Sequence, residues 1–144
     1  MSDSSDLQRF LDAQAPVYRQ VVAELSGGRK QTHWIWFIFP QIAGLGFSAM
    51  AQRFAIGSHA EAVAYLEHDL LGPRLVECTR LVMAASEKPV TDILGSPDDM
   101  KFRSCMTLFD AVSKQEIFAE GIAAFYPDGK DRATLEILET SPSL

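Results

Sequence analysis

Six consecutive apolar residues, from Trp34 to Phe39, constrain the fold of this chain more than any other segment, and Pro40 follows them directly. Such a run is typical of either a buried strand or a buried helix, and the pattern alone does not separate the two. A buried strand needs a partner, and the chain offers no convincing second strand. We therefore interpret the run as a buried helix that ends at Pro40, and we predict an all-α fold.

The rest of the chain carries helix-start and helix-end signals. They predict a single compact helical domain over residues 1–144, with seven to eight short helices and frayed ends at residues 1–5 and 140–144. Pro16 should kink or divide the first helical segment, because proline removes a backbone donor and crowds the preceding turn. The predicted caps and ends are Ser5 or Asp6, Gly27-Gly28, Ser48, Gly57, Ser58, Pro73, Ser96-Pro97 and Asp131.

The composition excludes several classes of protein. The chain has 144 residues, 47% of them apolar, which suits one packed core and not a disordered chain. The longest apolar run is far shorter than the roughly 20 residues of a membrane span, and two cysteines do not make a secreted disulfide scaffold. A net charge of −6 disfavours nucleic-acid binding. Because the first residues lack signal-peptide features, we expect a cytoplasmic protein that binds neither membrane nor nucleic acid.

The common catalytic and metal-binding motifs are absent from the sequence. It contains no Walker loop, no Gly-x-Ser-x-Gly elbow and no His-Glu-x-x-His. His33, His59 and His68 are spaced too widely for one helix-borne metal site, and Cys78 and Cys105 add no zinc spacing. We therefore expect no metal and no cofactor.

Unusual residues are densest between Lys30 and Gln41. Lys30 and His33 are three positions apart, which in a helix places them on one face, as an anion pocket requires. Trp34 and Trp36 offer flat faces for stacking a base, and in a helix they cannot both point into the same core. We expect Lys30, Trp34, Trp36 and Gln41 to bind a ligand and His33 to carry a proton. The alternative is that the aromatic residues are core and His33 is a half-buried polar group.

A second candidate is the loop from Gly44 to Ser48. Gly44 and Gly46 let the backbone approach a ligand closely, and Ser48 begins a helix whose free N–H groups attract anions. We expect Gly44, Gly46 and Ser48 to contact the ligand. Ordinary turn chemistry is the alternative.

A third candidate is one face of a predicted helix that carries Lys101, Ser104 and Thr107. A basic group and two hydroxyls on one face can line a polar pocket, and a solvated face explains them equally well. Cys105 has no visible activating partner and is interpreted as a small core residue.

Two further residues complete the set of candidates. Asp131 is explained as a helix N-cap, and it is also one of the carboxylates available for catalysis beside His33. Arg74 is a candidate ligand-binding residue, and a surface ion pair with Glu77 is the alternative.

Several of these segments together resemble a known family. The blocks that carry the resemblance are His33–Gln41, Gly44–Gly46, Leu71–Leu75, Lys101–Phe109 and Asp131 with Thr134-Leu135. They resemble a family of small all-helical bacterial proteins of unknown function, often labelled calpastatin in genome annotation. The resemblance covers residues 6 to about 138 and implies an all-α fold, but no catalytic residues. Calpastatin itself is a disordered inhibitor, whereas this chain is apolar-rich.

The order of the helices is also loosely similar to helical enzymes that cleave N-glycosidic bonds in ADP-ribose-type compounds. The first hypothesis is therefore a protein that binds a small phosphate-bearing or nucleotide-like ligand in a polar-aromatic cleft, and that hydrolyses it if the analogy holds. The alternative is a protein–protein interaction or dimerisation domain without catalytic activity, which uses the aromatic residues and Gly44–Phe47 as an apolar patch. The oligomeric state is open.

Overall fold

The computed structural model of the protein describes residues 7–140. The predicted cap at Ser5 or Asp6 lies outside these residues, and so do the predicted frayed ends at residues 1–5 and 141–144. Thr140, which the sequence places in the frayed end, is the last residue of a helix.

Within residues 7–140 the secondary structure is helical, with ten helices and no strand. The all-α prediction is confirmed, and the number of helices is larger than the predicted seven to eight. The bounds are α1 (Gln8–Gln14), α2 (Tyr18–Ser26), α3 (Ile35–Ile38), α4 (Ala49–Arg53), α5 (His59–Glu67), α6 (Leu71–Ala84), α7 (Val90–Leu94), α8 (Asp98–Val112), α9 (Glu116–Phe125) and α10 (Arg132–Thr140).

The higher count comes from short helices and from a proline. The first helical segment is divided around Pro16 into α1 and α2, as the missing backbone donor predicts. Helices α3, α4 and α7 have only four or five residues each and count separately. None of the helices in the described part of the chain is long and apolar enough to cross a membrane.

Helix α8 lies at the centre of the fold and contacts α3, α5, α7, α9 and α10. Its inner face is aromatic and fully buried. Phe102 packs edge-on against Phe39 of the apolar run, with ring centroids 4.9 Å apart, and Phe109 packs against Phe118 of α9 at 5.9 Å. Aromatic pairs of this kind add to the stability that burial alone provides.

The apolar run is helical, as predicted, but it forms a single turn. Trp34 precedes α3, and the backbone leaves the helical conformation at Phe39, directly before Pro40. Trp34, Ile35, Phe37 and Ile38 are buried, because the turn packs against α1, α6 and α8. Trp36 is half-buried. Trp36 nevertheless packs against the same hydrophobic core as Trp34, so the expectation that the two tryptophans do not share one core is met only in that Trp36 is not fully buried.

The segment after Pro40 leaves the core and returns to it. At its base, Ala43 N–H donates to Ile56 O and Ile56 N–H donates to Gln41 O, both at 2.8 Å. Helix α4 lies at the far end, and the Ser48 hydroxyl caps it by accepting a hydrogen bond from Ala51 N–H at 3.1 Å. We call residues 41–56 the glycine loop.

Gly72 shows how tightly two helices are joined. It is buried near the start of α6, and a Cβ there would lie 2.1 Å from the carbonyl oxygen of Leu66 and 2.9 Å from its carbonyl carbon. The obstacle is backbone, which cannot rotate away. The approach of α5 to α6 therefore requires glycine.

We predict that Gly72→Ala lowers the free energy of unfolding by about 3 kcal/mol, because the methyl group overpacks the contact with Leu66. Gly27→Ala is the matched control. Gly27 has a negative φ, and a methyl group added there would meet only ordinary contacts at 3.5 Å, so its effect should stay within about 0.5 kcal/mol. Urea denaturation checks both variants, and equal losses would contradict the packing argument.

Candidate functional site

A buried carboxylate organises the segment that leads into α3. Glu24, on α2, is 4% exposed. Its two oxygens accept hydrogen bonds from Gln20 Nε2 at 3.0 Å, Gln31 N–H at 2.7 Å, and Thr32 N–H and Oγ1 at 3.0 and 2.7 Å. The indole Nε1 of Trp34 also donates to it, at 2.9 Å. Glu24 therefore fixes both the turn before α3 and the direction of the first tryptophan.

The same hydrogen bonds determine the charge of this carboxylate. Burial alone raises the pKa of Glu24, but the donors from Thr32, Gln31, Gln20 and Trp34 together lower it, to about 2. Glu24 is therefore ionised at neutral pH, and each donor that points at it is stabilised by the charge.

Two lysines that the sequence proposes as ligand-binding residues converge on a third residue. Lys30 Nζ lies 2.9 Å from Asp98 Oδ2, and Lys101 Nζ lies 3.4 Å from Asp98 Oδ1. The Lys30 ammonium also lies over the Trp34 ring, 5.1 Å from its centroid. Lys30, Trp34 and Lys101 are thus brought together, but both ammonium groups are paired with the carboxylate of Asp98.

The His33 side chain does not join this group. It is exposed, and no hydrogen bond or ion pair connects it to Lys30 within residues 7–140. Trp34 is only 1% exposed, so its ring is part of the core and its indole N–H is used by Glu24. The anion pocket expected between Lys30 and His33 is not formed by these contacts.

Trp36 and the glycine loop do form a cavity. It has a volume of about 150 Å³, and we call it the Trp36 cavity. Four of the predicted ligand-binding residues line it: Trp36, Gln41, Gly44 and Gly46. The other lining residues are Ile42, Ala43, Leu45, Ala51, Gln52, Phe54 and Ala55.

Glycine is required at the two positions of the loop for different structural reasons. Gly44 has φ +105°, a conformation that residues with a Cβ rarely adopt. A Cβ at Gly46 would lie 2.7 Å from the Cβ of Ala51, so glycine there lets the loop lie against α4. Ser48 is not among the lining residues and acts as the cap of α4. Phe47, at the tip, is 82% exposed.

Two residues of the third predicted group, Ser104 and Thr107, join α8 to α10. Asp131 Oδ2 accepts hydrogen bonds from Thr134 N–H at 3.0 Å and Thr134 Oγ1 at 2.6 Å, as an N-cap does. Ser104 Oγ lies 3.2 Å from the same oxygen, and Thr107 Oγ1 accepts from Asp131 N–H at 2.9 Å. Asp131, Ser104 and Thr107 therefore form one cluster, which docks the last helix on α8.

Arg74 lies in a separate polar network. Its guanidinium lies over the Tyr18 ring, 4.6 Å from the centroid, and Nη1 donates to Gln14 Oε1 at 3.2 Å. The ion pair expected between Arg74 and Glu77 does not form among the described residues, because Glu77 accepts a hydrogen bond from the Tyr18 hydroxyl instead.

The cysteines offer no nucleophile. Cys78 and Cys105 are both buried and free. Burial raises the pKa of Cys78 to about 12 and that of Cys105 well above its usual value, so both are thiols at neutral pH. The interpretation of Cys105 as a core residue is confirmed. Within residues 7–140 no group of three or more His, Cys, Asp or Glu side chains is placed to hold a metal ion.

Sequence reasoning missed four residues that shape these sites: Glu24, Asp98, Ala51 and Gln52. Asp98 is an acid in the first turn of α8, a common position that does not reveal its contacts with Lys30 and Lys101. Glu24 gives no signal, because a glutamate on a short amphipathic helix is usually exposed. Ala51 and Gln52 follow a predicted cap and carry no chemistry by themselves.

Comparison with known proteins adds a family and a close relative. Residues 4–138 match the family described as "Protein of unknown function (DUF1810)". The chain is also similar to a solved structure, the conserved hypothetical protein Rv1873 from Mycobacterium tuberculosis. The sequence identity is 51%, the match covers 96% of this chain and 100% of the other, and the TM-score is 0.93. No curated protein matches. The calpastatin label finds no support in these descriptions.

We predict that Glu24→Gln lowers the free energy of unfolding at neutral pH by about 2–3 kcal/mol, because five donors lose a charged acceptor. A group whose pKa is lowered on folding stabilises the protein above its unfolded pKa. The contribution of the Glu24 charge to the free energy of unfolding should therefore be complete above its ordinary pKa of 4.5. It should disappear as the pH falls through the lowered pKa of about 2.

Urea denaturation at neutral pH and near pH 2 measures this difference. The gap between wild type and Glu24→Gln should narrow at acid pH. Glu67→Gln is the matched control, because Glu67 is an exposed residue of α5 whose side chain makes no hydrogen bond in the described part of the chain. A gap of the same size at both pH values would show that Glu24 acts through packing and not through its charge.

Proposed function

The chain belongs to the DUF1810 family, whose function is unknown, and on that premise we propose that it binds a small nucleotide-like ligand through its planar ring in the Trp36 cavity. One observation carries the proposal: an indole side chain and a side-chain amide without a hydrogen bond among residues 7–140 line the same cavity. These groups belong to Trp36 and Gln41.

The size of the cavity sets the size of the group that enters it. A volume of about 150 Å³ is comparable to that of an engineered apolar cavity of about 150 Å³ that binds benzene. A single ring system therefore fits inside, and a whole nucleotide does not. The sugar and any phosphate of a nucleotide-like ligand would lie outside the cavity.

The polar groups of the cavity suit the edge of a base. The side chain of Gln41 is half-buried and makes no hydrogen bond within residues 7–140, so its amide has both donors and acceptor available. Glutamine pairs with the edge of adenine in this way. Gln52 is oriented by its own hydrogen bond, in which Nε2 donates to Phe47 O at 2.7 Å. Trp36 adds a flat face on which the ring can stack.

Hydrolysis of an N-glycosidic bond is not part of this proposal. The residues expected to carry it, His33 and Asp131, do not line the Trp36 cavity. The carboxylate of Asp131 is used as a helix cap, which explains its position without catalysis. We therefore restrict the proposal to binding, with nucleotide-like compounds as the ligand class.

A second candidate function rests on Phe47. This side chain is 82% exposed at the tip of the glycine loop, where a large apolar ring in water contributes nothing to the stability of the fold. Phe47 would then contact a protein partner or a second copy of the chain. Gel filtration of wild type and Phe47→Ser distinguishes self-association from ligand binding alone.

We predict that Ala51→Leu weakens the binding of adenine, adenosine and AMP at least about tenfold, because the added methyl groups occupy the cavity. Ala51 lies against Gly46 and lines the cavity. The variant should be no less stable than wild type, since filling a cavity restores packing contacts. Isothermal titration calorimetry measures the binding.

Ala49→Leu is the matched control, because Ala49 is an exposed residue of the same short helix and does not line the cavity. It should bind as wild type does. Wild-type protein that binds none of the three compounds would overturn the proposal, and so would equal binding by both leucine variants.

A further inference from the structure

A second, strongly polar pocket lies on another part of the surface. It has a volume of about 450 Å³ and is formed by the turn after α2 and by the segment around α7. We call it the Arg29 pocket. It shares no lining residue with the Trp36 cavity, and the residues that line it are Arg29, Lys30, Lys88, Thr91, Asp92, Ile93 and Gly95.

We propose that the Arg29 pocket binds the phosphate group of a small phosphate monoester. Three cationic residues line it, against the single carboxylate of Asp92. The whole chain has a net charge of −6, so such a concentration of positive charge is a local exception. Charge of this kind attracts anionic ligands.

The donors of the pocket are available to a ligand. The guanidinium of Arg29 is exposed and has no hydrogen bond or ion pair within residues 7–140. Its planar fork matches two oxygens of a phosphate group. Lys88 Nζ donates to Gly28 O at 2.6 Å, which leaves two of its three N–H groups for a ligand.

The walls of the pocket are held in place without a ligand. The bond from Lys88 to Gly28 joins the connection between α6 and α7 to the turn after α2. A backbone hydrogen bond from Lys30 N–H to Ile93 O, at 2.7 Å, joins the same turn to α7. The two contacts bracket Arg29, so its backbone is fixed while its side chain is free to close on an anion. This arrangement reduces the entropy that binding would otherwise cost.

Lys30 contributes mainly charge, because its side chain is only 7% exposed. Its ammonium is held by Asp98, which is shared with Lys101. One carboxylate between two lysines leaves a net positive charge behind the pocket. A dianionic phosphate gains more from this charge than a carboxylate does, because Coulomb energy scales with the charge of the ligand.

Titration with inorganic phosphate tests the proposal, at constant ionic strength and with 31P NMR or calorimetry as the readout. The test uses a saturable binding signal and not a rise in melting temperature. Phosphate raises the melting temperatures of proteins in general, because it is excluded from their surfaces. Arg29→Gln should weaken binding at least about tenfold, the effect of losing a charge-assisted hydrogen bond. Asp92→Asn should strengthen it, because it removes the one carboxylate of the pocket.

Two matched controls remove the same charges elsewhere. Arg19→Gln and Asp69→Asn change exposed residues that do not line the Arg29 pocket, and both should bind phosphate as wild type does. Ribose 5-phosphate should compete with phosphate, and acetate should not. Absence of saturable binding would overturn the proposal, and so would equal effects of Arg29→Gln and Arg19→Gln.

The outcome of the phosphate titration does not depend on the Trp36 cavity. Inorganic phosphate has no ring, and Ala51→Leu should bind it normally. Failure of one proposal therefore leaves the other open to its own test.

Discussion

The arrangement of the candidate site depends on the hydrogen bonds that the buried carboxylate of Glu24 accepts. It collects donors from α2, from the turn that follows and from the indole of Trp34. Trp34, fixed in the core, directly precedes the helical turn α3, whose second residue is Trp36. Trp36 is half-buried, packs against the core and lines the Trp36 cavity. An ionised group inside the protein thus fixes the residue from which the turn that carries Trp36 begins.

The fold could be predicted from the sequence where its causes are local. Pro16 divides a helix because its own nitrogen lacks a hydrogen, and Ser48 and Ser58 cap helices through the nearest backbone N–H groups. The apolar run is predicted as a helix because the sequence offers no convincing partner strand, and it forms the single turn α3. The glycine loop is recognisable as a site element because its residues, close together in the sequence, stay close in the structure.

The polar part of the site could not be predicted in the same way, because its partners are far apart in the sequence. In the sequence Lys30 is available for a ligand, but Asp98 lies 68 positions later and pairs with it. Arg74 meets Tyr18 and Gln14, both more than 50 positions away. Helix spacing says which residues share a face, but it does not say which other helix lies opposite. Most of the predicted polar ligands therefore have structural partners, and the cavity retains Trp36, Gln41 and the glycines.

The most direct test of this account is an adenine titration of the 15N-labelled protein that follows the two indole N–H signals. The chain has only two tryptophans, and Trp36→Phe assigns the signals. Adenine should shift the indole signal of Trp36 in a saturable way and leave that of Trp34 in place, because the latter is bonded to Glu24 inside the core. An unchanged Trp36 signal, or equal shifts of both, would contradict a ring-binding cavity beside Trp36.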